Sequence, residues 1–497
     1  MAASSCCVGL TSLESFHLIG TGPSETILIQ VGETMKKKGH GKKSVQPKKT
    51  ETDWKALEIM HPDAAGIDVG GSEHWVAISP DRDPEPVRCF DCFTADVEQM
   101  ADWLWERGVR TVAMQSTGVY WLGVFEILQR RGLEVYLVNA RHTKNLPGRK
   151  SDIQECQWLL KLHTFGLLNN SFQPSDEIRH ARTLWRHRGG LVGQASSTIQ
   201  RMQKALIEMN IQLSTVLSDL SGVSGMRIVE AILDGQRDPQ ALAALADPQV
   251  KAPKEVIAKS LEGNWREELL FVLQQEVELY RAYQEQIAEC DQKLQGHLQS
   301  MAPRADLGTQ PLGPRPKGKR ARGNAPQFDL RTELYRITGV DWTQVDGIDV
   351  QVAQSVIAEV GVDLKAFATE KHFTSWMGLC PTNETSGGKV LNRRTPKVVN
   401  RAKVAFRQAA AALLRSQSYL GAQYRRLRTR LGAPKAITAM ARKLACLFYR
   451  LLKHGQQYVD KGTEYYEQRH REQQVRLLLK KAKQLGIQVV TPTPTKA

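Results

Sequence analysis

The chain has 497 residues, enough for about two to four domains with separate cores. Its 68 Lys and Arg against 52 Asp and Glu leave a net charge of +16, an excess that points to a polyanionic partner, nucleic acid first. No run of 18 apolar residues occurs, which excludes a membrane-spanning helix, and eight scattered cysteines exclude a disulfide framework, so an intracellular, cytoplasmic location is expected.

Residues 1–34 hold Glu14, Glu25 and Glu33 but no Lys or Arg, unlike the basic start of a signal peptide. At Met35 the composition switches to Met-Lys-Lys-Lys-Gly-His-Gly-Lys-Lys, so Met35 is expected to be the natural start. Residues 1–53 are read as a disordered extension and basic arm. Ala64–Val69 and His74–Ser79 then read as a hairpin turning at Gly70-Gly71, and Val87–Phe93 as a third strand. Val97–Arg107 is an amphipathic helix through Met100, Trp103 and Leu104 that Gly108 closes. Arg110–Met114 is a fourth strand, Leu122–Arg131 a helix ended by Gly132, and Glu134–Val138 a fifth strand. This βββ-α-β-α-β order is that of an α/β RNase H-like (RuvC-like) core, expected over 54–178. Cys89 and Cys92 form one CxxC with no second pair to complete a zinc site, and read as strand cysteines.

Asp68 lies within the apolar first strand, where an isolated carboxylate is costly unless paired or holding a metal. Flanking glycines at 66, 70 and 71 would leave room for a ligand's backbone. Gly-Arg-Lys-Ser-Asp-Ile-Gln-Glu (148–155) opens a helix over about 151–165, with Asp152 and Glu155 three residues apart on one face. Ile153, Cys156 and Leu160 are expected to pack on the sheet while the acids point to the strand edge, beside Asp68 and the end of the fourth strand at Gln115. A Ser-Asp-x-x-Glu run is also an ordinary helix start, favoured by capping and the helix dipole. Three converging acids on a basic protein point to Mg²⁺ chemistry on phosphodiesters.

Residues 179–301 read as a helical, coiled-coil connector. The stripes Leu191, Ala195, Ile199, Met202, Leu206, Leu213 and Leu273, Val277, Tyr280, Ile287, Leu294, Leu298 suggest a long helical hairpin, the second stripe interrupted at Gln284 and Asp291. Such stripes pack internally or dimerise. A basic Pro/Gly linker follows at 302–327, then a mainly helical domain over 328–465 and a basic tail over 466–497. Val-Asp-Gly-Ile-Asp-Val (345–350) before a helix resembles a helix-hairpin-helix, with Asp349 in place of the second hairpin glycine. Ser386 precedes Gly387-Gly388, with Lys389, Arg393 and Arg394 close by. The pattern is that of a turn, or of a serine nucleophile in a cationic, flexible surround. Lys389, Arg393, Arg394 and the cluster Arg425, Arg426, Arg428 and Arg430 are candidate phosphate contacts, the last four equally a solvated helix face.

Several of these motifs together resemble a known family. Gly-Ile-Asp-Val-Gly (66–70), Ser-Thr-Gly-Val-Tyr-Trp (116–121), the run from Val138 to Asp152, Gln157-Trp-Leu and the segment from Gly378 to Lys389 are similar to the DEDD transposases of bacterial insertion sequences, the IS-one-ten family and particularly its IS-eleven-eleven subgroup. The resemblance covers roughly 55–465. It implies a RuvC-like domain, a helical connector and a C-terminal domain bearing a serine. It further implies site-specific recombination of double-stranded DNA guided by a structured non-coding bridge RNA. The protein would then act in the bacterial cytoplasm, at the nucleoid, as a homo-oligomer, a dimer or tetramer.

Position by position, Asp68 matches the first acid of the tetrad, Gln115 stands where the family has glutamate, Asp152 matches the third position, and Glu155 replaces the final aspartate. Ser386 matches the serine that forms a phosphoserine link to cleaved DNA. A neutral amide at 115 is a poorer Mg²⁺ ligand, so weakened metal binding and reduced recombination are expected. The rival readings are a RuvC-like hydrolytic endonuclease or resolvase, in which water replaces Ser386, and a catalytically dead nucleic-acid-binding remnant.

Overall fold

The computed structural model describes residues 58–116, 118–139, 151–315, 323–396, 398, 400–455 and 462–484. The expected start at Met35, the basic arm, the middle of the 138–152 motif and the basic heart of the 302–327 linker lie outside the described residues. The chain divides into two compact units, the first ending at Asn169 and the second beginning at Asn170.

The first unit is built on β1 (Ala64–Val69), β2 (Glu73–Ile78), β3 (Val87–Asp91), β4 (Thr111–Gln115) and β5 (Glu134–Val138), in sheet order β3-β2-β1-β4-β5. The β1–β2 and β2–β3 pairs are antiparallel, while β1–β4 and β4–β5 are parallel. That mixed order follows from the connections. Tight turns can only return antiparallel strands, whereas helices α1 (Thr94–Glu106) and α2 (Trp121–Arg130) carry the chain across to parallel ones. One face buries Ile67, Val69, Val76, Val112, Met114 and Leu137 against Met100, Leu104, Val124 and Leu128 of α1 and α2. A third helix, α3 (Asp152–Thr164), covers the opposite face, where Leu159 and Leu162 pack on Ala113 and Val138. The α/β sheet expected from the strand and helix pattern is therefore present, with boundaries within three residues of expectation.

Two local expectations are corrected. Ile153 is 39% exposed and does not join the sheet, because Cys156, Leu159 and Leu162 take the buried stripe of α3. The glycines around Asp68 do not leave a berth for a ligand either. A Cβ at Gly66 would overlap the Cys156 carbonyl oxygen and the Leu160 amide nitrogen, and one at Gly70 would overlap the Glu73 carbonyl. Gly66 thus lets the α3 backbone lie directly on β1. Gly66→Ala is expected to push α3 off the sheet and cost about 1–3 kcal/mol, measured as a shift in the urea unfolding midpoint.

At its far end α3 is pinned by His163, fully buried, whose Nε2 lies 2.9 Å from Thr111 Oγ1. Burial first, and then the neighbouring His61, pushes the imidazole down to about 4, so it stays neutral near pH 7.

In the second unit the long helices α4 (Asp176–Glu208) and α9 (Glu267–Ser300) pack along each other. Between them run the short helices α5 (Leu213–Val216), α6 (Val223–Leu233), α7 (Pro239–Ala244) and α8 (Lys254–Ser260). These close a separate core with Met202, Leu206, Leu273 and Val277, so the hairpin is less simple than its stripes suggest, and Leu213 belongs to this cap instead of to α4. Asp291 is no mere interruption. It is buried against Arg188, with Nε–Oδ1 at 2.5 Å and Nη2–Oδ2 at 3.2 Å. Facing partners within the same chain thus occupy the stripes of both helices.

Ile178, Ala181, Leu294 and Leu298, at one end of this pair, share a core with the C-terminal helices. These are α10 (Leu330–Thr338), α11 (Val350–Val360), α12 (Glu370–Trp376), α13 (Arg401–Ala412), α14 (Tyr419–Leu431) and α15 (Ala433–His454), while α16 (Gly462–Gln484) packs against α14 outside that core. Trp342, Phe373, Phe406 and Phe448 fill its centre. The helix-hairpin-helix-like turn faces inward, since Gly347, at φ +84°, sits where a Cβ would meet Ala409 O of α13 at 2.5 Å. A two-stranded hairpin, β6 (Glu384–Ser386) and β7 (Lys389–Asn392), is exposed along most of its length.

Candidate functional site

Residues alternate faces along a strand, so Asp68 shares with Gly66 the side of β1 that α3 covers. Gln115, on the same face as Ala113, is the last residue of β4 and is 4% exposed. Because Ile67 pairs with Met114 in the parallel ladder, Asp68 and Gln115 end up side by side at the C-terminal ends of two interior strands. The α3 N-terminus lies over those ends. Ser151 caps it, its Oγ accepting from the Gln154 amide at 3.3 Å, which orients the first turn and the two acids it carries.

Glu155 reaches Gln115, whose Nε2 donates to Glu155 Oε2 at 3.4 Å. A carboxylate only accepts, so the amide presents its NH₂ to Glu155. The Cys156 thiol, fully buried, is pushed up to about 12, by burial first and then by the negative charges of Asp68 and Asp152. Asp152 rides the first turn of α3, the helix that covers the face of β1 on which Asp68 lies. Asp152 is exposed and also bears on Cys89 of β3, raised to about 11 by desolvation, then Glu73, Asp91 and Asp152. Glu73 and Asp91, paired across β2 and β3, extend the acidic edge beyond the residues that sequence reasoning singled out. The available signal was their position at the strand ends that meet beside the β1–β2 turn.

The donors are hard oxygens of the kind Mg²⁺ takes. Among the described residues, however, no three His, Cys, Asp or Glu side chains lie close enough together to hold a metal ion. The arrangement is an acidic edge in which an amide, not a fourth carboxylate, contacts Glu155. Cys89 and Cys92 are both exposed free thiols, with no partner cysteine among the described residues.

Ser386 belongs to the second unit. It closes β6 opposite Lys389, and Gly387 (φ +54°) with Gly388 (φ +76°) makes the two-residue turn, a conformation that residues with a Cβ enter only under strain. Ser386 and Lys389 are exposed, and among the described residues Ser386 Oγ has no hydrogen-bond partner. The base of the hairpin is closed where the Thr382 amide and hydroxyl, on one arm, both donate to Arg394 O, on the other, at 3.0 Å. Arg393 and Arg394 remain exposed beside it. On α14, Arg426, Arg428 and Arg430 are exposed, but Arg425 is half-buried and donates to Ser416 O at 2.5 Å. Arg425 thus closes the end of the preceding turn, and only the other three present free guanidinium groups.

The DEDD transposase model of IS110 (IS-one-ten) type, described as a transposase, matches residues 65–211, from β1 to just beyond α4. A second model, the transposase IS116/IS110/IS902 family, matches residues 342–425. The two matched segments are IS110-family transposase domains. No curated protein matches the chain.

Proposed function

We propose that this chain, which carries an IS110-family transposase domain on each side of a helical connector, is the transposase of an insertion sequence and catalyses site-specific DNA recombination. The observation that supports the reading is the contact of Gln115 with Glu155 at the end of β4, next to the end of β1 that bears Asp68, with Asp152 on the first turn of α3. In this reading Asp68, Asp152 and Glu155 would hold Mg²⁺ only after drawing closer together than they lie here, where no three such side chains form a metal site among the described residues. When bound, the ion would neutralise the scissile phosphate and orient it.

Ser386 is the nucleophile. Its Oγ gives up its proton and bonds to phosphorus as the bond to the leaving deoxyribose oxygen breaks, and that oxygen takes a proton. Attack by the hydroxyl of another strand reverses the step and frees the serine, so strands exchange without an external energy source. Lys389, Arg393 and Arg394 would meet the phosphate backbone near the hairpin, and Arg426, Arg428 and Arg430 would meet it on α14. Guidance by a structured bridge RNA, and action as a dimer or tetramer, are carried over from the family resemblance.

One observation favours a second reading, a nucleic-acid-binding protein with impaired chemistry. Gln115 contributes no charge and contacts a carboxylate that the metal would need. Gln115→Glu separates the two. It sets two carboxylates about where the 3.4 Å contact now lies, a pair that cannot both ionise without a cation. Without Mg²⁺ the variant should melt below the parent at pH 8. Adding Mg²⁺ should restore its melting temperature and raise strand cleavage by about 10–100-fold over the parent. A melting temperature indifferent to Mg²⁺, with unchanged cleavage, would remove Gln115 from the site.

A further inference from the structure

An open cleft of about 350 Å³ lies between α4, α11 and α13, entirely within the second unit, and no residue of the Ser386 hairpin lines it. We propose that it receives one unpaired nucleotide of a nucleic-acid strand, with the base inside and the phosphate at its mouth. The proposal rests on the nucleic-acid-binding part of the transposase reading and adds a site to it.

The volume falls in the usual range for small-ligand pockets, about 300–1,000 Å³. One wall is Trp185, held in place because its Nε1 donates to Ser355 Oγ at 2.9 Å, while Ser355 Oγ donates to Gln351 O at 2.7 Å. An indole fixed in this way is a stacking surface already ordered before a base arrives. The polar edge comes from two carboxamides, Gln351 and Gln408. Gln351 Nε2 is buried and has no partner, the condition of a donor kept for a ligand.

Gly189 forms the floor on α4. Glycine in a helix interior weakens the helix, and close packing usually accounts for it. Here a Cβ would meet nothing within 4 Å, so packing among the described residues does not require the glycine. What its absence of side chain provides is space in the cleft.

The charges select a phosphate. Arg188 is neutralised by Asp291, and Glu359 by Arg182 and Arg186. Arg401 has no ion-pair partner among the described residues and opens α13, whose N-terminal dipole adds positive potential at the same place. The cleft therefore offers a stacking face, an unpaired amide donor and one uncompensated cation.

The test uses the full chain, single-stranded DNA and RNA oligonucleotides carrying one 2-aminopurine, and the matching duplexes. Gly189→Leu should fill the cleft without disturbing its surroundings, and Gln351→Leu should remove the unpaired donor at similar volume. Each is expected to keep or raise the melting temperature. Each should weaken single-strand binding by about tenfold or more, the loss that follows from expelling one stacked base, and leave duplex binding within about twofold. The 2-aminopurine signal should change on binding to the parent and not to Gly189→Leu, and comparison of the DNA and RNA arms identifies the strand. Single-strand affinity and 2-aminopurine response equal to the parent's in both variants would overturn the cleft proposal while duplex binding still stood. A parent chain that binds neither form would overturn the transposase reading along with it.

Discussion

Ser386→Ala is expected to abolish the covalent protein–DNA adduct and to lower recombination on the order of 10⁴–10⁶-fold, the scale seen when a catalytic nucleophile is removed. The fold should not notice. Ser386 is exposed at the end of β6, its hydroxyl makes no hydrogen bond among the described residues, and the turn depends on Gly387 and Gly388. Stability should stay within about 0.5 kcal/mol of the parent. The neighbouring hydroxyl cannot stand in, since strand alternation sends Thr385 to the opposite face of the hairpin. Denaturing gels of protein incubated with labelled element-end DNA and Mg²⁺ read the adduct, and product sizing reads cleavage. If Ser386→Ala still cuts DNA at the parental rate, water is the attacker and the hydrolytic nuclease reading replaces the recombinase.

Asp291→Ala should cost about 3–5 kcal/mol, the loss expected when one partner of a buried ion pair is removed. Arg188 and Asp291 have side chains 5% and 3% exposed, so removing the carboxylate strands a guanidinium in the interior. The pair also binds the chain at the end of the linker: Arg188 Nη1 donates to Asn324 O at 3.1 Å, and the Gln327 amide donates to Asp291 Oδ2 at 3.1 Å. Chemical denaturation should show the loss, and hydrogen exchange should quicken at 324–327. The double variant Arg188→Met with Asp291→Leu should recover most of the stability, because two apolar side chains leave no buried charge behind. If Asp291→Ala alone matches the parent, the buried pair contributes nothing to stability and the long helices are held by their apolar stripes and by exposed polar links such as Arg201–Glu276.

The first unit was legible because its signals are local. β1 and β5 were expected at Ala64–Val69 and Glu134–Val138 and are found there, since apolar runs of strand length are bounded by glycine and polar turns. The adjacency of Asp68 and Gln115 followed from strand order alone. Side-chain direction on α3 did not. Ile153, Cys156 and Leu160 fit a helical stripe on paper, but the close approach at Gly66 rotates α3 so that Cys156 and Leu159 are buried and Ile153 is not. Likewise Asp291 read as a break in an apolar stripe, because its partner Arg188 lies 103 residues away and spacing carries no trace of it.

Arg425 shows the same limit on the surface. Its sequence neighbours are exposed cations, yet a single helical step turns its guanidinium back onto Ser416 O.

Composition, hydrophobic period and glycine placement determined the α/β class, the order of the strands, the long helices and the type of residue available for phosphate chemistry, because each depends on contacts within a few residues of chain. Tertiary structure alone decided that an amide contacts Glu155, that Gly66 serves the protein's own helix, that Gly189 opens a cleft, and that Arg188 and Asp291 are buried together. Those outcomes depend on which surfaces meet across tens to hundreds of residues, and a one-dimensional pattern holds no measure of that distance.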